Sequence, residues 1–203
     1  MPDRFPTLAS YLARLPRGVE SYPEVTVKAS VYRDALESLS LDECLGDLPG
    51  AVAELVRHPL PVTAWVPEVH SLAILIAIRD RHFATTAAGL DSYEAWVFER
   101  NSRLLKRPLY RALFLLVSPE RLLSGVERRW SAFRRGTSAR LVEKAVGLAE
   151  IEISHPPHLY DRCVERGMCG AFRAAASAAG ARDVHADVVS STERVTRCRI
   201  RWS

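Results

Sequence analysis

Six histidines and four cysteines, none of them in a recognisable cluster, set the chemical possibilities of this 203-residue chain. A glycine-rich phosphate loop, HExxH, GxSxG and CxxC are all absent from the sequence. These patterns most directly carry phosphate, zinc-hydrolytic, serine-nucleophile and dithiol chemistry. His155 and His158 flank Pro156 and Pro157, so they could turn toward one metal ion or stand on an exposed turn. The exposed turn is the expectation. A Cys/His nucleophile needs an activated thiolate beside a hydrogen-bonded base. Cys163 and Cys169 lie six residues apart on one expected helix, about 600° of rotation, so they do not share one narrow site. Free thiols are the default for all four cysteines. No catalytic residue is assigned, and neither a cofactor nor a bound metal is expected.

Charge offers a second kind of chemistry. The net charge is +4, but between Ala95 and Ala145 twelve Lys or Arg residues face four Glu. Arg103, Lys106, Arg107, Arg128, Arg129, Arg134 and Arg135 form the candidate basic patch. It would attract an acidic partner with strong salt dependence. Nucleic acid is disfavoured, because Trp96, Trp130 and Phe133 fall at core spacing and leave few aromatics to stack on bases. Solvated faces of amphipathic helices account for the same charges.

The elements that must position these residues divide in two. From Ala139 to Trp202 the order reads strand, strand, helix, strand, strand. The helix, from about His158 to Ala179, carries Gly167, Gly170, Ala171 and Ala174, small residues that predict a close approach to the sheet side bearing Cys198, Ile200 and Trp202. Arg197, Arg199 and Arg201 alternate onto the opposite, wet face, and a hairpin turn covers Ser190 to Glu193. Any ligand cavity is expected toward Leu75, Ile76, Met168 and Phe172.

Upstream, helices are predicted over Thr26–Leu39, Ala51–Arg57 and Pro67–His82, with Glu68 complementing the dipole of the last and Trp65 a core anchor before it. A DxxE capping box at Asp91–Glu94 opens the next helix. Another follows Pro108 to Val117, and Ser118-Pro119-Glu120 opens one that runs to Gly136. The fold class is therefore α+β: a helical N-terminal two-thirds (1–136) on a C-terminal antiparallel sheet plus helix (137–203), together one domain over 1–203. The longest apolar runs, Leu72–Ile78 and Ala112–Val117, fall short of the ~20 residues a transmembrane helix needs. With no apolar signal core at the N-terminus, a cytoplasmic location is expected.

LPRGVESYPEVTVKASVYRDAL, AWVPEV, the run from WVFERN to FRRGT, and GAFRAAASAAGARDV together resemble a paralogous family of largely myxobacterial proteins about as long as this chain. That family implies no activity. More distantly, the strand, strand, Gly/Ala-rich helix, strand, strand order ending in CRIRW resembles the superfamily of four-vinyl-reductase (V4R) domains, TRAPP trafficking subunits and heme nitric-oxide sensors. The resemblance implies a small or apolar ligand between helices and sheet, and a TRAPP-like homodimer. The YxSxR motif that holds heme propionates is absent, so heme is not expected. Of the V4R metal ligands, Cys198 and Cys163 match and Asp187 could supply a carboxylate, but Val189 or Ser190 stands where another cysteine belongs. The expected role is a non-catalytic ligand-binding or protein-interaction domain, a sensor or adaptor. The alternatives are an enzyme acting on a small apolar substrate and an incomplete-zinc V4R-like sensor.

Overall fold

The computed structural model describes residues 4–106 and 117–203. Five helices open the chain: α1 (Pro6–Arg14), α2 (Ser30–Ser38), α3 (Gly50–Arg57), α4 (Glu68–His82) and α5 (Ala87–Leu105). After the helix expected over Pro108–Val117, which falls almost entirely outside the described residues, come α6 (Pro119–Ser124) and α7 (Val126–Phe133). Strand β1 (Thr26–Lys28) pairs antiparallel with β2 (Trp65–Pro67) and with β3 (Arg134–Arg135). Then β4 (Ser138–Ala145), β5 (Leu148–Ser154), α8 (Arg162–Ala178), β6 (His185–Ser191) and β7 (Val195–Arg201) complete an antiparallel sheet of order β4-β5-β7-β6. The α+β class, with helices first and the strand, strand, helix, strand, strand unit last, is the one the sequence predicts.

The small sheet is the main departure in the helical part. Val27 was expected on a helix, but it is 1% exposed in β1 opposite Val66, and the helix begins only at Ser30. A β-branched valine fits a buried pleat as well as it fits a helical face, so four-residue spacing alone did not separate the two. Trp65 is half-buried on β2 and lies beneath two cations, Arg135 at 3.9 Å and Lys28 at 4.1 Å from its ring centroid, instead of anchoring the core. α4 is buried nearly all round, with Ile74, Ile76 and Ile78 fully covered. Each such side chain contributes roughly 1.5–3 kcal/mol. At its far end Asp80 Oδ2 accepts from the backbone N–H groups of Thr7 and Leu8 at 2.8 and 3.0 Å, capping α1 where its own preceding residue, Phe5, offers no side-chain cap.

Two other helix starts differ from expectation and one agrees. The N-cap of α5 is Thr86, whose hydroxyl accepts from Gly89 N–H; Asp91 and Glu94 lie inside the helix, where Asp91 pairs with Arg166 and Glu94 with Arg173 of α8. Those carboxylates serve tertiary ion pairs, which imitate a capping box in one dimension. Helix α8 starts at Arg162, four residues later than expected, because Asp161 caps it through Val164 N–H while Leu159 and Tyr160 enter the core as loop. Ser118 does cap α6, but that helix breaks at Gly125, where the guanidinium of Arg129 folds back to Leu122 O at 2.8 Å.

In the large sheet, Cys198 and Ile200 face inward and are fully buried, while Arg197, Arg199 and Arg201 stand on the wet face. There Arg140 and Arg197 grip Glu152 at 2.6 and 2.7 Å, Arg199 grips Glu150 at 3.0 Å and Arg201 grips Asp187 at 2.9 Å. The two arginines on Glu152 hold its carboxyl below the usual range. The glycine face of α8 packs on α5 and not on the sheet, which corrects the expected partner. A Cβ on Gly170 would stand 2.8 Å from Glu94 O and 3.2 Å from Phe98 N, whereas one on Gly167 would meet only the Tyr93 ring at 3.5 Å. The opposite face of α8 places Cys169 against Cys198.

This asymmetry predicts opposite outcomes for two conservative changes. Gly170→Ala must push backbone against backbone and should cost about 1–3 kcal/mol. Gly167→Ala makes an ordinary ring contact and gains helix propensity of up to about 1 kcal/mol, so it should be neutral or stabilising. Urea melts of the two variants read the difference, and equal stability would contradict the helix contact.

Candidate ligand-binding site

Glu68 is the first residue of α4 and is fully buried. Its Oε1 accepts from Arg134 Nε at 2.9 Å and from Tyr160 Oη at 2.9 Å; Oε2 has no hydrogen-bond partner among the described residues. Burial raises the Glu68 carboxyl above its ordinary value, with Arg134 and Tyr160 opposing it. Burial also works against the charge of Arg134, but Glu68 and Tyr160 outweigh it and leave the guanidinium more firmly protonated than usual. Both shifts are upward, so the arginine keeps its charge and the carboxyl is the strained partner. Arg134 further lies 4.3 Å from the ring centroid of Trp130, whose indole N–H donates to Thr137 Oγ1 at 2.9 Å. Three separate elements, α4, β3 and the loop before α8, thus meet on one carboxylate.

The same loop carries the second half of the site. The ring of His155 packs against that of Tyr160 at a tilt of 46°, with centroids 4.6 Å apart. Its Nδ1 is 2.9 Å from Pro156 O and its Nε2 is 3.3 Å from Thr196 Oγ1. Thr196 in turn donates to Glu165 Oε1 at 2.8 Å, where Ser191 Oγ also donates. Burial lowers the pKa of His155, with Pro156 O and Glu165 pulling the other way. His155 forms part of the wall of a surface pocket of about 430 Å³ shared with the β3–β4 turn (Gly136, Thr137, Ser138), Ser154, Pro156 and Arg194. Gly136 takes φ +81° there, and its α-carbon sits so close to Val25 that a Cβ would come within 2.9 Å of Cγ2. Only glycine fits that turn.

The sequence-derived candidates lie elsewhere. Ile76 and Met168 are buried, and Leu75 and Phe172 are half-buried against the same core. They line neither this pocket nor a second one of about 230 Å³ between Arg33 and Pro59. Of the basic patch, Arg103, Lys106, Arg128, Arg129 and Arg135 are exposed, Arg107 lies outside the described residues, and Arg134 is turned inward to Glu68. His155 and His158 do not point together: His155 is buried, while His158, at φ +59°, reaches Glu193 at 3.4 Å. Cys198 meets Cys169, Cys163 meets Tyr93, and Asp187 is exposed on β6 in its pair with Arg201. No group of three or more His, Cys, Asp or Glu among the described residues is placed to hold a metal ion. Burial pushes the Cys163 thiol up, and the neighbouring Cys169 and burial push Cys198 up, so both stay protonated.

Glu68 was missed as a site residue because a carboxylate after proline also reads as a helix-dipole partner; its real partners lie 66 and 92 residues away in sequence. Removing one member of a buried pair leaves the other uncompensated. Glu68→Ala should therefore cost about 3–5 kcal/mol, and Glu68→Leu combined with Arg134→Met should recover most of that loss. A carboxyl harder to ionise when folded than unfolded favours the native state below its unfolded pKa, and that contribution is lost as pH rises through the folded value. Wild type should accordingly lose stability relative to Glu68→Gln as pH rises from acid toward neutral, read from urea melts at stepped pH. A constant difference would contradict the strained carboxyl.

No family model matches the chain. No curated protein matches it either. Solved structures do. A Cs H-NOX mutant carrying 4-cyano-L-phenylalanine aligns over 87% of this chain and 96% of its own, with TM-score 0.56 and 10% identity. An H-NOX structure determined to probe heme distortion covers 86% of this chain and 92% of its own, with TM-score 0.55 and 12% identity. An oxygen-binding H-NOX domain related to soluble guanylate cyclases covers 86% of this chain and 92% of its own, with TM-score 0.53 and 10% identity. Heme needs an apolar slot and an axial ligand such as His, Cys, Met or Tyr. Of the two pockets described above, that between Arg33 and Pro59 is lined by no such side chain, and the other only by His155, whose ring nitrogens already face Pro156 O and Thr196 Oγ1. Neither pocket fits that group. What the chain shares with these proteins is their fold: a helical layer on a four-stranded antiparallel sheet, closed by the helix between its two strand pairs.

Proposed function

We propose that the chain is a non-catalytic cytoplasmic domain that binds a small molecule and passes its presence to a partner, a sensor or adaptor built on the H-NOX fold without heme. The pocket of about 430 Å³ beside His155 carries this reading. Three turns wall it, and two of them are tied to the helical layer. Gly136 rests on Val25, and the loop of His155 and Pro156 continues to Tyr160, which holds Glu68 at the start of α4. A ligand that draws these turns together alters the hydrogen bonding of a carboxylate already short of partners. Occupancy at the surface is thereby felt inside the helical layer.

Thr196 is fully buried and gives its proton to Glu165, so it is no nucleophile for His155. A ligand among Leu75, Ile76, Met168 and Phe172 would have to open a packed core, whereas the surface pocket needs no opening. A place in the myxobacterial paralogous group belongs to the same reading and adds no activity to it.

Native mass spectrometry against a metabolite extract tests the proposal. A bound small molecule should be recovered unaltered, and Arg194→Glu should reduce its binding. Recovery in chemically altered form would make the protein an enzyme, and undiminished binding to Arg194→Glu would move the seat away from this pocket. For the output side, exposed Phe133, Val142 and Val146 support a two-fold dimer. Light scattering at micromolar concentration should then give about twice 22.6 kDa, and the monomer mass would remove that part of the reading.

A further inference from the structure

We infer that the His155 pocket takes a small anion, with a carboxylate, sulfate or phosphate group, and that binding it places a second proton on His155. This rests on the ligand-binding reading above and names the chemistry of the ligand.

Pro156 O can only accept, so Nδ1 of His155 carries a proton. Thr196 Oγ1 spends its own proton on Glu165 at 2.8 Å and turns lone pairs toward Nε2 at 3.3 Å. A neutral imidazole with its proton on Nδ1 presents a lone pair at Nε2, so two acceptors face each other there. A proton on Nε2 would turn that contact into a donor–acceptor pair, with Glu165 behind Thr196 to balance the charge. The wiring for the imidazolium is already built, and what withholds the proton is burial.

An anion in the pocket removes that obstacle, because it supplies negative charge beside a residue that lines it. Arg194, its side chain 64% exposed, provides a guanidinium on the same wall. Ser138 and Ser154 are directly paired across β4 and β5, and their hydroxyls add neutral donors at the rim. The charged and titratable groups around His155 are Glu165 from α8, Glu193 and Arg194 from the β6–β7 turn, and His158 and Tyr160 from its own loop. Glu193 is held between His158 at 3.4 Å and Arg194 at 3.6 Å, and Glu165 is screened by Thr196. No carboxylate is among the pocket's lining residues.

Sulfate is the probe, because it keeps both charges across the histidine range and leaves any pH dependence to the protein. Isothermal titration at about pH 5.5 and about pH 7.5 should give an affinity at least roughly fivefold tighter at the lower pH, the direction expected when binding takes up a proton. Arg194→Gln should weaken binding at both values, His155→Gln should abolish the pH dependence, and His158→Gln should keep it. Should His155→Gln fail to fold, the imidazole NMR signals of His155 in the wild type decide: their titration midpoint rises with sulfate if the inference holds. No sulfate binding at tens of millimolar, equal affinity at both pH values, or an unmoved His155 midpoint would overturn it. A neutral metabolite that shifts the His155 and Ser138 signals where sulfate does not would sink the anion while leaving the sensor reading intact.

Discussion

One carboxylate, that of Glu68, is taken wholly out of water at the point where the two layers meet, and much of the molecule is arranged to make that tolerable. Burying an ion without partners is prohibitive, and even a paired ion recovers its desolvation only with good geometry and further hydrogen bonds. Arg134 therefore has to reach it from β3, and β3 exists because β1 and β2 hold a short sheet edge in place. Tyr160 has to reach it from the loop before α8, so that loop cannot be helix, and α8 waits for Asp161 to start. Glu68 Oε2 has no hydrogen-bond partner among the described residues, which leave its compensation incomplete. A pair in that condition holds the layers in register.

The helical layer closes on the C-terminal unit by a different means. Where α5 and α8 cross, Gly170 brings backbone to backbone, and Arg166 and Arg173 reach over the crossing to Asp91 and Glu94. Close contact there leaves no room for a side chain at position 170. The fold is shared with the H-NOX domains, and at this crossing the described interior is tightly packed. A pocket of about 430 Å³ lies at the surface beside His155.

How far this could be read in sequence depended on whether a signal was local. The alternation Arg197, Arg199, Arg201 against Cys198 and Ile200 fixes two faces by a period of two, and the strands obey it. Ser118-Pro119-Glu120 is a local start signal and holds. Val27, Asp91 and Glu94 misled because burial in a short strand and ion pairs across helices produce the same spacings as an amphipathic helix and a capping box. The site itself was the least legible part. Arg134 was one cation among several until Glu68 claimed it, and His155 reads as an exposed turn residue until Tyr160 and Thr196 close around it.

The central claim is that the pocket and the start of α4 move as one through Tyr160 and Glu68. Backbone hydrogen exchange with and without saturating sulfate tests it most directly. The account predicts added protection both in the turn around Ser138 and the loop from His155 to Asp161, and in the first turns of α4 after Glu68, with the α4 response lost in Tyr160→Phe. Protection confined to the pocket rim, or an α4 response that survives Tyr160→Phe, would contradict it.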